Sequence, residues 1–465
     1  MLNIGVEAFK KTMIGKKVSV VGIGISNLPA LEFLYNCGAI ITACDKRNEC
    51  DMDEEILEKV NSLCEYTHFG EDYLDHFDGQ DIILKAPGVN PALPQIVKAR
   101  QDGIEITSEM EIFMSLCPCK MIAVTGSDGK TTTTTLIYRI LNEAGHTCHI
   151  GGNIGKPLLN EVENMHPDDY VILELSSFQL MNIKVSPHVA VITNISPNHL
   201  DYHRDMSEYV EAKSQIFRHQ NSEGKLIINK DNAITAAFCG KQNGKVEFFS
   251  RRYQECDAHV DDGYICYKGE KIVRISDIKI KGDHNVENYL AAIAATMEFA
   301  DKRCVEIVAK NFGGVEHRME YVRTLNGIKF YNDSIGSSPA RTIAGLKAHT
   351  GDVVLIAGGR DKNLNYDELG LIIREKVSAL VLIGETSQKI HDSVQKAFGG
   401  NIPIPVYFQD KYPQAVMGAF ALAKGIKKDD NEVSVILSPA STSFDMFKNF
   451  EERGNKYKEI VNSLT

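Results

Sequence analysis

Short apolar runs alternate with longer amphipathic stretches over most of the chain. An apolar run over 17–21 leads into a glycine turn, a helix over 28–37 and a second strand over 39–44 that ends at Asp45. This strand–helix–strand opening, with an acidic residue about 20 positions beyond the turn, is typical of dinucleotide-binding folds. Asn27 stands where that fingerprint has its third glycine. A turn that holds some other diphosphate is therefore favoured over a nicotinamide site.

A second segment repeats the rhythm around a strand over 120–125, which leads into a glycine loop and a helix. Strands over 171–175 and 189–195 come next. A short, alternating and polar pattern over 240–278 then indicates a β-rich insertion. A helix that runs through Ala300 closes the segment.

The third segment has predicted strands over 353–357, 379–383 and 433–437, each followed by a helix-like stretch. Such alternation predicts parallel sheets that carry helices on both faces. The predicted fold class is therefore α/β. The predicted domains are a Rossmann-like domain over 1–107, a P-loop-type ATPase domain with a small β-rich part over 108–314, and a second Rossmann-like domain over 315–465.

Length and charge narrow the classes of function. A chain of 465 residues exceeds what a single hydrophobic core supports, so two or three domains are expected. The net charge of −11 argues against a nucleic-acid partner, because phosphate backbones are bound by basic surfaces. No apolar run approaches the roughly 18 residues of a membrane span, and the N-terminus lacks a secretory pattern. With eleven scattered cysteines, the sequence predicts a cytoplasmic enzyme.

The loop after the strand 120–125 carries the strongest chemical signal. Two glycines let successive backbone N–H groups turn toward one anion, and the following helix start adds its positive end. Lys130 can reach terminal phosphates, and the Thr131 hydroxyl can bind Mg²⁺. Val124 occupies the place of a further glycine, so the loop is a shortened P-loop; the alternative is a chance turn. The predicted nucleotide-binding residues of the loop are Gly126, Ser127, Asp128, Gly129, Lys130, Thr131 and Thr132.

A metal-binding carboxylate should lie at the end of a neighbouring strand. Glu174 fits, since it ends an apolar run in which an unpaired carboxylate would be expensive; a surface residue on an edge strand is the alternative. His199 follows the strand 189–195 and could join a metal shell, although a lone histidine is more often structural.

The motifs, in their order along the chain, resemble those of the Mur ligases. They are the loop Gly126–Thr132, Gly152–Gly155, Glu174–Leu180, Asn194–Asp201, Gly282–Asn285 and Glu316–Arg318. The resemblance implies that ATP phosphorylates a carboxylate and that an amine then displaces the phosphate. It also implies positive charge from Lys130, two Mg²⁺ ions and Arg318, and a metal shell of Thr131, Glu174, His199 and Lys213.

The resemblance assigns further roles. Lys130, Glu174, His199 and Lys213 are the expected catalytic residues. Lys213 matches a carbamylated lysine, the alternative being an exposed helix lysine. Asn285 and Asn288 match residues on the adenine side and share one helix face. Asp333 matches an aspartate on the ribose or hinge side.

Substrate positions follow from the same resemblance. The uridine diphosphate end is assigned to Gly24, Ile25, Ser26, Asp45, Lys46, Arg47 and Gly88. The sugar and peptide end is assigned to Asn153, Ser176 and Gln179. The incoming amino acid is assigned to Ser337, Lys362, Ser443, Phe444 and Phe450. One departure is Ile335, which stands where a lysine is usual, and Phe444, Phe447 and Phe450 could equally form a core-facing helix stripe.

Two stretches, Glu174–Leu180 and the more specific Leu437–Gly454, resemble the branch that adds D-glutamate to UDP-N-acetylmuramoyl-L-alanine in cell-wall synthesis. The nearest alternative is another amide ligase of the superfamily, such as a folylpolyglutamate synthase. A protein that senses UDP-sugars without catalysis would not need the metal-shell residues. A dinucleotide oxidoreductase would have no function for the phosphate loop. We expect a monomer without a membrane span or a nucleic-acid partner.

Overall fold

The structure, a computed structural model, describes residues 3–24, 26–181, 183–197, 202–362, 364–428 and 430–465. The chain divides into two compact units between Phe312 and Gly313. The first unit contains two sheets and the second contains one, which confirms the α/β class. Each sheet falls within one of the three predicted domains, whose boundaries stay a prediction. No helix of the described ranges is long and apolar enough to cross a membrane.

The first sheet is parallel and has the strand order β3-β2-β1-β4-β5. Its strands are β1 (Lys17–Val21), β2 (Ile40–Asp45), β3 (Tyr66–Phe69), β4 (Ile82–Lys85) and β5 (Glu105–Thr107). Its helices are α1 (Ile4–Met13), α2 (Asn27–Asn36), α3 (Glu54–Leu63), α4 (Pro94–Gln101) and α5 (Glu109–Leu116). Strand order reverses beside β1, and such switch points open a crevice at the carboxyl ends of the strands.

The second sheet has the order β14-β13-β12-β11-β10-β9-β6-β8-β7. Its strands are β6 (Lys120–Thr125), β7 (Cys148–Gly152), β8 (Tyr170–Glu174), β9 (Val189–Ile192), β10 (Lys225–Asn229), β11 (Lys245–Ser250), β12 (Ala258–Asp261), β13 (Tyr264–Tyr267) and β14 (Glu270–Arg274). Strands β12 to β14 are antiparallel, which confirms the β-rich insertion.

The helices of the second sheet are α6 (Lys130–Glu143), α7 (Ser177–Leu180), α8 (Met206–Arg218), α9 (Ala233–Ala236), α10 (Asp283–Thr296) and α11 (Lys302–Asn311). The prediction that α10 runs through Ala300 was wrong. The side chain of Asp301 caps α11 by accepting from the N–H groups of Arg303 and Cys304, so the chain must turn before it. Strand β9 also ends earlier than predicted, because the residues after Ile192 bond to the phosphate loop.

The sheet of the second unit has the order β15-β16-β20-β17-β18-β19, with only the β15–β16 pair antiparallel. Its strands are β15 (Glu320–Leu325), β16 (Ile328–Asn332), β17 (Asp352–Ala357), β18 (Val377–Ile383), β19 (Val406–Gln409) and β20 (Val433–Leu437). Its helices are α12 (Pro339–Ala348), α13 (Asp367–Lys376), α14 (Ser387–Phe398), α15 (Tyr412–Ile426) and α16 (Phe450–Ser463). The central strand β20 is buried along its whole length, as its run of apolar and small residues predicts.

Candidate active site

The phosphate loop connects β6 to α6 and requires glycine at two positions. Gly129 has φ +78°, and a Cβ there would overlap Asn288 Oδ1. Gly126 has φ +152°, and a Cβ there would overlap Thr193 Oγ1. Side chains of L-residues are disfavoured in this region of φ, and these overlaps leave no room for one. The loop is therefore packed tightly against α10 and against the segment after β9.

Hydrogen bonds to the segment after β9 hold the loop in place. The N–H of Ser127 donates to Asn194 O at 2.9 Å, and the N–H of Asp128 donates to Asn194 Oδ1 at 3.0 Å. Ser127 Oγ donates to Ser196 O at 3.0 Å. Lys130 Nζ lies inside the turn and donates to Gly126 O and Ser127 O, both at 2.9 Å. The loop thus has the form of an anion cradle, with a cation already positioned in it.

Glu174 lies on β8 directly beside Val124 of β6, and only 1% of Glu174 is exposed to solvent. Asn153 Nδ2 donates to Glu174 Oε1 at 2.7 Å, whereas Oε2 accepts no hydrogen bond from the described atoms. The edge-strand alternative is wrong, because β8 lies between β6 and β7 and the side chain is buried. A buried carboxylate oxygen without a donor is unfavourable unless a cation neutralises it. Glu174 therefore fits a metal ligand.

Lys213 extends from α8 to the same loop and is 2% exposed, so the alternative of an exposed helix lysine is wrong. Its Nζ donates to Gly126 O at 2.8 Å and to Thr125 Oγ1 at 3.4 Å. Burial lowers the pKa of Lys213 to about 7, and the charge of Lys130 adds to this effect while Glu174 opposes it. A large part of the amine is therefore uncharged near neutral pH.

The predicted metal shell is only partly described. Thr131 is buried in the first turn of α6, and Glu174 and Lys213 lie at the same edge of the sheet. His199 lies outside the described residues, and so does Ile25. Within the described ranges, no group of three or more His, Cys, Asp or Glu side chains forms a ready metal site.

Asn285 and Asn288 share one face of α10, as their spacing predicts. Asn288 Nδ2 donates to Asn285 Oδ1 at 3.2 Å, and Thr133 Oγ1 donates to Asn288 Oδ1 at 3.3 Å. Because Asn288 also contacts the position of Gly129, the pair lies next to the phosphate loop. The structure therefore joins the two predicted parts of the nucleotide site.

The turn after β1 is held by side-chain hydrogen bonds that differ from those of the phosphate loop after β6. Asn27 Nδ2 donates to Val21 O at 3.1 Å and to Gly22 O at 3.0 Å, so it closes the turn where the fingerprint has a glycine. Asp45 accepts from the N–H of Ile23 at 2.7 Å and from Arg47 Nε and Nη2, each at 2.9 Å. Burial alone would raise the pKa of Asp45, but the hydrogen bonds from Arg47 and Ile23 lower it overall.

The other described residues predicted for the uridine diphosphate end lie at the carboxyl edge of the first sheet. Gly24, Lys46 and Gly88 are exposed, and Ser26 precedes α2 without a capping hydrogen bond from its side chain. Gly24 and Ser26 follow β1, Lys46 follows β2, and Gly88 follows β4 by three residues. Because β2, β1 and β4 are parallel neighbours, their carboxyl ends bring these residues to one edge of the sheet.

The short helix α7 carries the residues predicted for the sugar and peptide end. Ser176 and Gln179 form a capping box, in which Gln179 Oε1 accepts from Ser176 N and Oγ at 3.0 Å. A small pocket beside α7 is lined by Phe178, Gln179 and Lys85. Sequence reasoning missed Lys85, and its only signal was a lysine closing the apolar run of β4.

In the second unit, Asp333 follows β16 and is buried. Ser438 Oγ donates to its Oδ2 at 2.6 Å, and the N–H of Met319 donates to its Oδ1 at 3.1 Å. Burial raises the pKa of Asp333 to about 6, although those hydrogen bonds and the charges of Arg318 and Arg341 oppose the rise. Arg318 and Asp333 are therefore neighbours, as two predicted nucleotide residues should be.

The structure brings together some of the residues that are predicted to bind the incoming amino acid. Lys362 Nζ lies 5.8 Å from the ring centroid of Phe444, whose side chain stands out with 61% exposure. Ser443 is buried one residue before it, whereas Ser337 Oγ, among the described atoms, donates only to Ile335 O at 3.3 Å.

The helix-stripe alternative for the three phenylalanines was wrong. Phe444 and Phe447 precede α16, which begins at Phe450. Sequence reasoning also missed Arg453, whose buried guanidinium donates to Ser334 Oγ at 3.0 Å and to Ser441 O at 3.1 Å. It thereby links two segments that carry predicted site residues.

Comparison with known proteins gives a consistent answer. The family model described as the Mur ligase middle domain matches residues 124–296, and the one described as the Mur ligase MurD-like N-terminal domain matches residues 16–108. A protein named UDP-N-acetylmuramoylalanine--D-glutamate ligase from Acetivibrio thermocellus is 50% identical, with 100% of both chains covered. A protein of the same name from Clostridium novyi is 47% identical, with 98% of both chains covered.

Solved structures agree on the fold. The UDP-N-acetylmuramate-alanine ligase of Thermotoga maritima has a TM-score of 0.54 at 18% identity, covering 96% of this chain and 99% of its own. MurF of Acinetobacter baumannii has a TM-score of 0.56 at 18% identity, covering 83% of this chain and 92% of its own. The predicted family resemblance is thus confirmed: the chain belongs to the Mur ligase family.

Proposed function

We propose that this protein joins D-glutamate to UDP-N-acetylmuramoyl-L-alanine in an ATP-dependent step of peptidoglycan precursor synthesis. The full-length relatives that are 43% to 50% identical bear the name of that activity. One observation in the structure carries the proposal. Lys130, Lys213 and the unpartnered Oε2 of Glu174 converge on a single phosphate loop, which suits the activation of a carboxylate by ATP.

Mg²⁺ fits the donor set at this loop. Thr131 Oγ1 and the free oxygen of Glu174 are hard oxygen ligands, which magnesium prefers, and His199 would complete the set. Two ions are proposed, held by Thr131, Glu174, His199 and Lys213. Bound Mg²⁺ would neutralise charge on the phosphate oxygens and so let two anions approach each other.

Lys213 suits a carbamate. An uncharged amine nitrogen forms a bond to the carbon of CO₂ and loses a proton, so that a carboxylate replaces a cation. The pKa of about 7 that burial produces makes the uncharged amine available at neutral pH. The product is a further oxygen ligand next to Gly126.

The reaction divides into two steps. A carboxylate oxygen of the muramoyl-alanine attacks the γ-phosphorus, and ADP leaves. The amine of D-glutamate then attacks the acyl carbon, phosphate leaves, and the nitrogen loses a proton. Lys130 and the loop N–H groups orient the triphosphate, while Asn285 and Asn288 are assigned to its adenine end. The family resemblance assigns additional positive charge to Arg318 of the second unit.

The amino acid is assigned to the second unit. Lys362 offers a cation to a carboxylate and lies near Phe444, and Ser443 is the buried residue that precedes Phe444. Ser337 and Phe450 complete the proposed contacts. We also place the reaction in the cytoplasm, in keeping with eleven cysteines that are all free thiols.

Phosphate release from ATP tests the proposal directly. The purified protein is given UDP-N-acetylmuramoyl-L-alanine together with D-glutamate, L-glutamate, D-aspartate or L-lysine. Release with D-glutamate alone is expected. Equal release with every amino acid would remove the D-glutamate assignment, and preference for L-lysine would favour another amide ligase of the family.

A further inference from the structure

Three lysines are buried in the described part of the first unit, and they differ in what surrounds the ammonium group. Lys225, 4% exposed, lies 3.0 Å from Glu298 Oε1 and 3.7 Å from Glu247 Oε2. Lys213 bonds to the phosphate loop. Lys85 is also 4% exposed, yet among the described residues its Nζ makes only one hydrogen bond, a long one of 3.5 Å to Ala86 O. Two of the three lysines therefore have a clear role, and Lys85 has none.

The described surroundings of Lys85 provide no anion. No carboxylate of the described residues lies within 4.0 Å of its Nζ. Glu111 lines the same pocket, but its carboxylate already accepts from Thr107 Oγ1 and from the N–H of Lys184, both at 3.1 Å. Burial lowers the pKa of Lys85 to about 8, and the charge of Arg100 adds to this effect. At pH 7 the ammonium form still dominates, and a buried ammonium without an anion is unfavourable.

The position of Lys85 indicates which ligand would supply the anion. Lys85 ends β4 and pairs with Val21, the last residue of β1 before the glycine turn. Phe178 and Gln179 of α7 line the same small pocket as Lys85. Lys85 therefore lies next to the strand that leads into the turn assigned to the uridine diphosphate, and it shares a pocket with the helix assigned to the sugar and peptide.

We propose that Lys85 binds an anionic oxygen of the nucleotide-sugar substrate. The proposal rests on the proposed function. Two groups of that substrate have the required chemistry, namely the diphosphate and the carboxylate of the alanyl end. In either case the buried ammonium gains a counter-charge only when the substrate binds.

The substitution Lys85→Met separates a binding role from a structural one. Methionine keeps the length and apolar contacts of the side chain but has no charge. A binding role predicts that the variant melts no earlier than the wild type, because an unpaired buried charge has been removed. It also predicts that the affinity for UDP-N-acetylmuramoyl-L-alanine falls at least tenfold, while the affinity for a non-hydrolysable ATP analogue with Mg²⁺ is unchanged.

Calorimetric titrations of the full-length protein provide the measurement. The ligands are UDP, UDP-N-acetylglucosamine, UDP-N-acetylmuramoyl-L-alanine and the ATP analogue. Weaker binding of all three uridine ligands would show that Lys85 binds the diphosphate. Weaker binding of the muramoyl ligand alone would show that Lys85 binds the carboxylate. Lys85→Gln is the second neutral variant should Lys85→Met fail to fold, and Lys98→Met changes an exposed lysine on α4 as the control.

Unchanged affinity for all three uridine ligands in a folded neutral variant would overturn the proposal. An equal loss of affinity for the ATP analogue, or a lower melting temperature in both neutral variants, would also overturn it, because both results indicate structural damage. A wild-type protein that binds UDP but not the muramoyl ligand would contradict the proposed function, and loss of UDP binding in Lys85→Met would still support an anion site.

Discussion

Two glycine turns in the first unit differ in what their surroundings leave unsatisfied. Around the turn after β1, the carboxylate of Asp45 is saturated by Arg47 and by the N–H of Ile23. Around the loop after β6, Glu174 Oε2 has no donor among the described atoms. The carboxylate beside the first turn is thus satisfied without a ligand, whereas the carboxylate beside the second turn needs a cation. This contrast separates a site that only binds from a site that also performs chemistry.

The comparison is tested most strongly by removing the charge inside the second turn. Lys130→Ala should reduce kcat by about 10³-fold, because a preorganised donor to the transferred phosphoryl group is lost. ADP release in the complete reaction is the measurement, and Lys241→Ala, a change of an exposed lysine, is the control. Undiminished ligation by a folded Lys130→Ala protein would contradict the proposed role of the loop.

The next largest effect is expected on nucleotide binding, when a methyl group is added to a glycine of the loop. Gly129→Ala should abolish measurable binding of the ATP analogue, since the new Cβ overlaps Asn288 Oδ1 at a φ of +78°. Gly145→Ala is the matched control: its φ is +88°, but a Cβ there meets nothing within 4 Å. It should lose about 1–2 kcal/mol of stability and keep its nucleotide affinity. Equal losses of affinity in both variants would assign the effect to backbone strain instead.

Lys213 predicts a pH dependence of stability. The pKa of Lys213 in the folded protein is about 7, below its ordinary value of 10.5, so the unfolded chain binds more protons between those values. The contribution of this residue to the free energy of unfolding should therefore rise as pH increases from 7 toward 10.5. Urea unfolding in CO₂-free buffer, where Lys213 stays a free amine, measures it at several pH values, and Lys213→Met should flatten the rise. A slope identical in the two proteins would show that Lys213 does not titrate in this window.

The smallest expected effect concerns the first turn. Asp45→Asn removes the charge that holds Arg47, so the KM for UDP-N-acetylmuramoyl-L-alanine should rise about tenfold while the KM for ATP stays constant. Steady-state kinetics with each substrate varied in turn give both values. Asp102→Asn, at an exposed position, is the control. A change in the KM for ATP of the same size would mean that the two turns are not independent.

Much of the fold could be predicted because strands and helices are encoded locally. The strand over Val433–Leu437 was predicted with its observed bounds, since five consecutive apolar or small residues form a buried strand. Helix ends were less accurate, as at Thr296, because a cap on the following helix decided where α10 stops. The phosphate loop was predicted because its glycines and lysine are consecutive in the chain.

The sequence by itself determined the kinds of element, their order and the chemistry available at the ends of the strands. Only the tertiary structure decided that Asn153 bonds to Glu174, that Phe444 is exposed before a helix, and that Lys85 and Lys213 are buried. The physical reason is that periodicity depends on neighbours along the chain, whereas burial and hydrogen bonding depend on residues distant in it. Glu174 and Asn153, for example, are 21 positions apart and meet only because β7 and β8 pair.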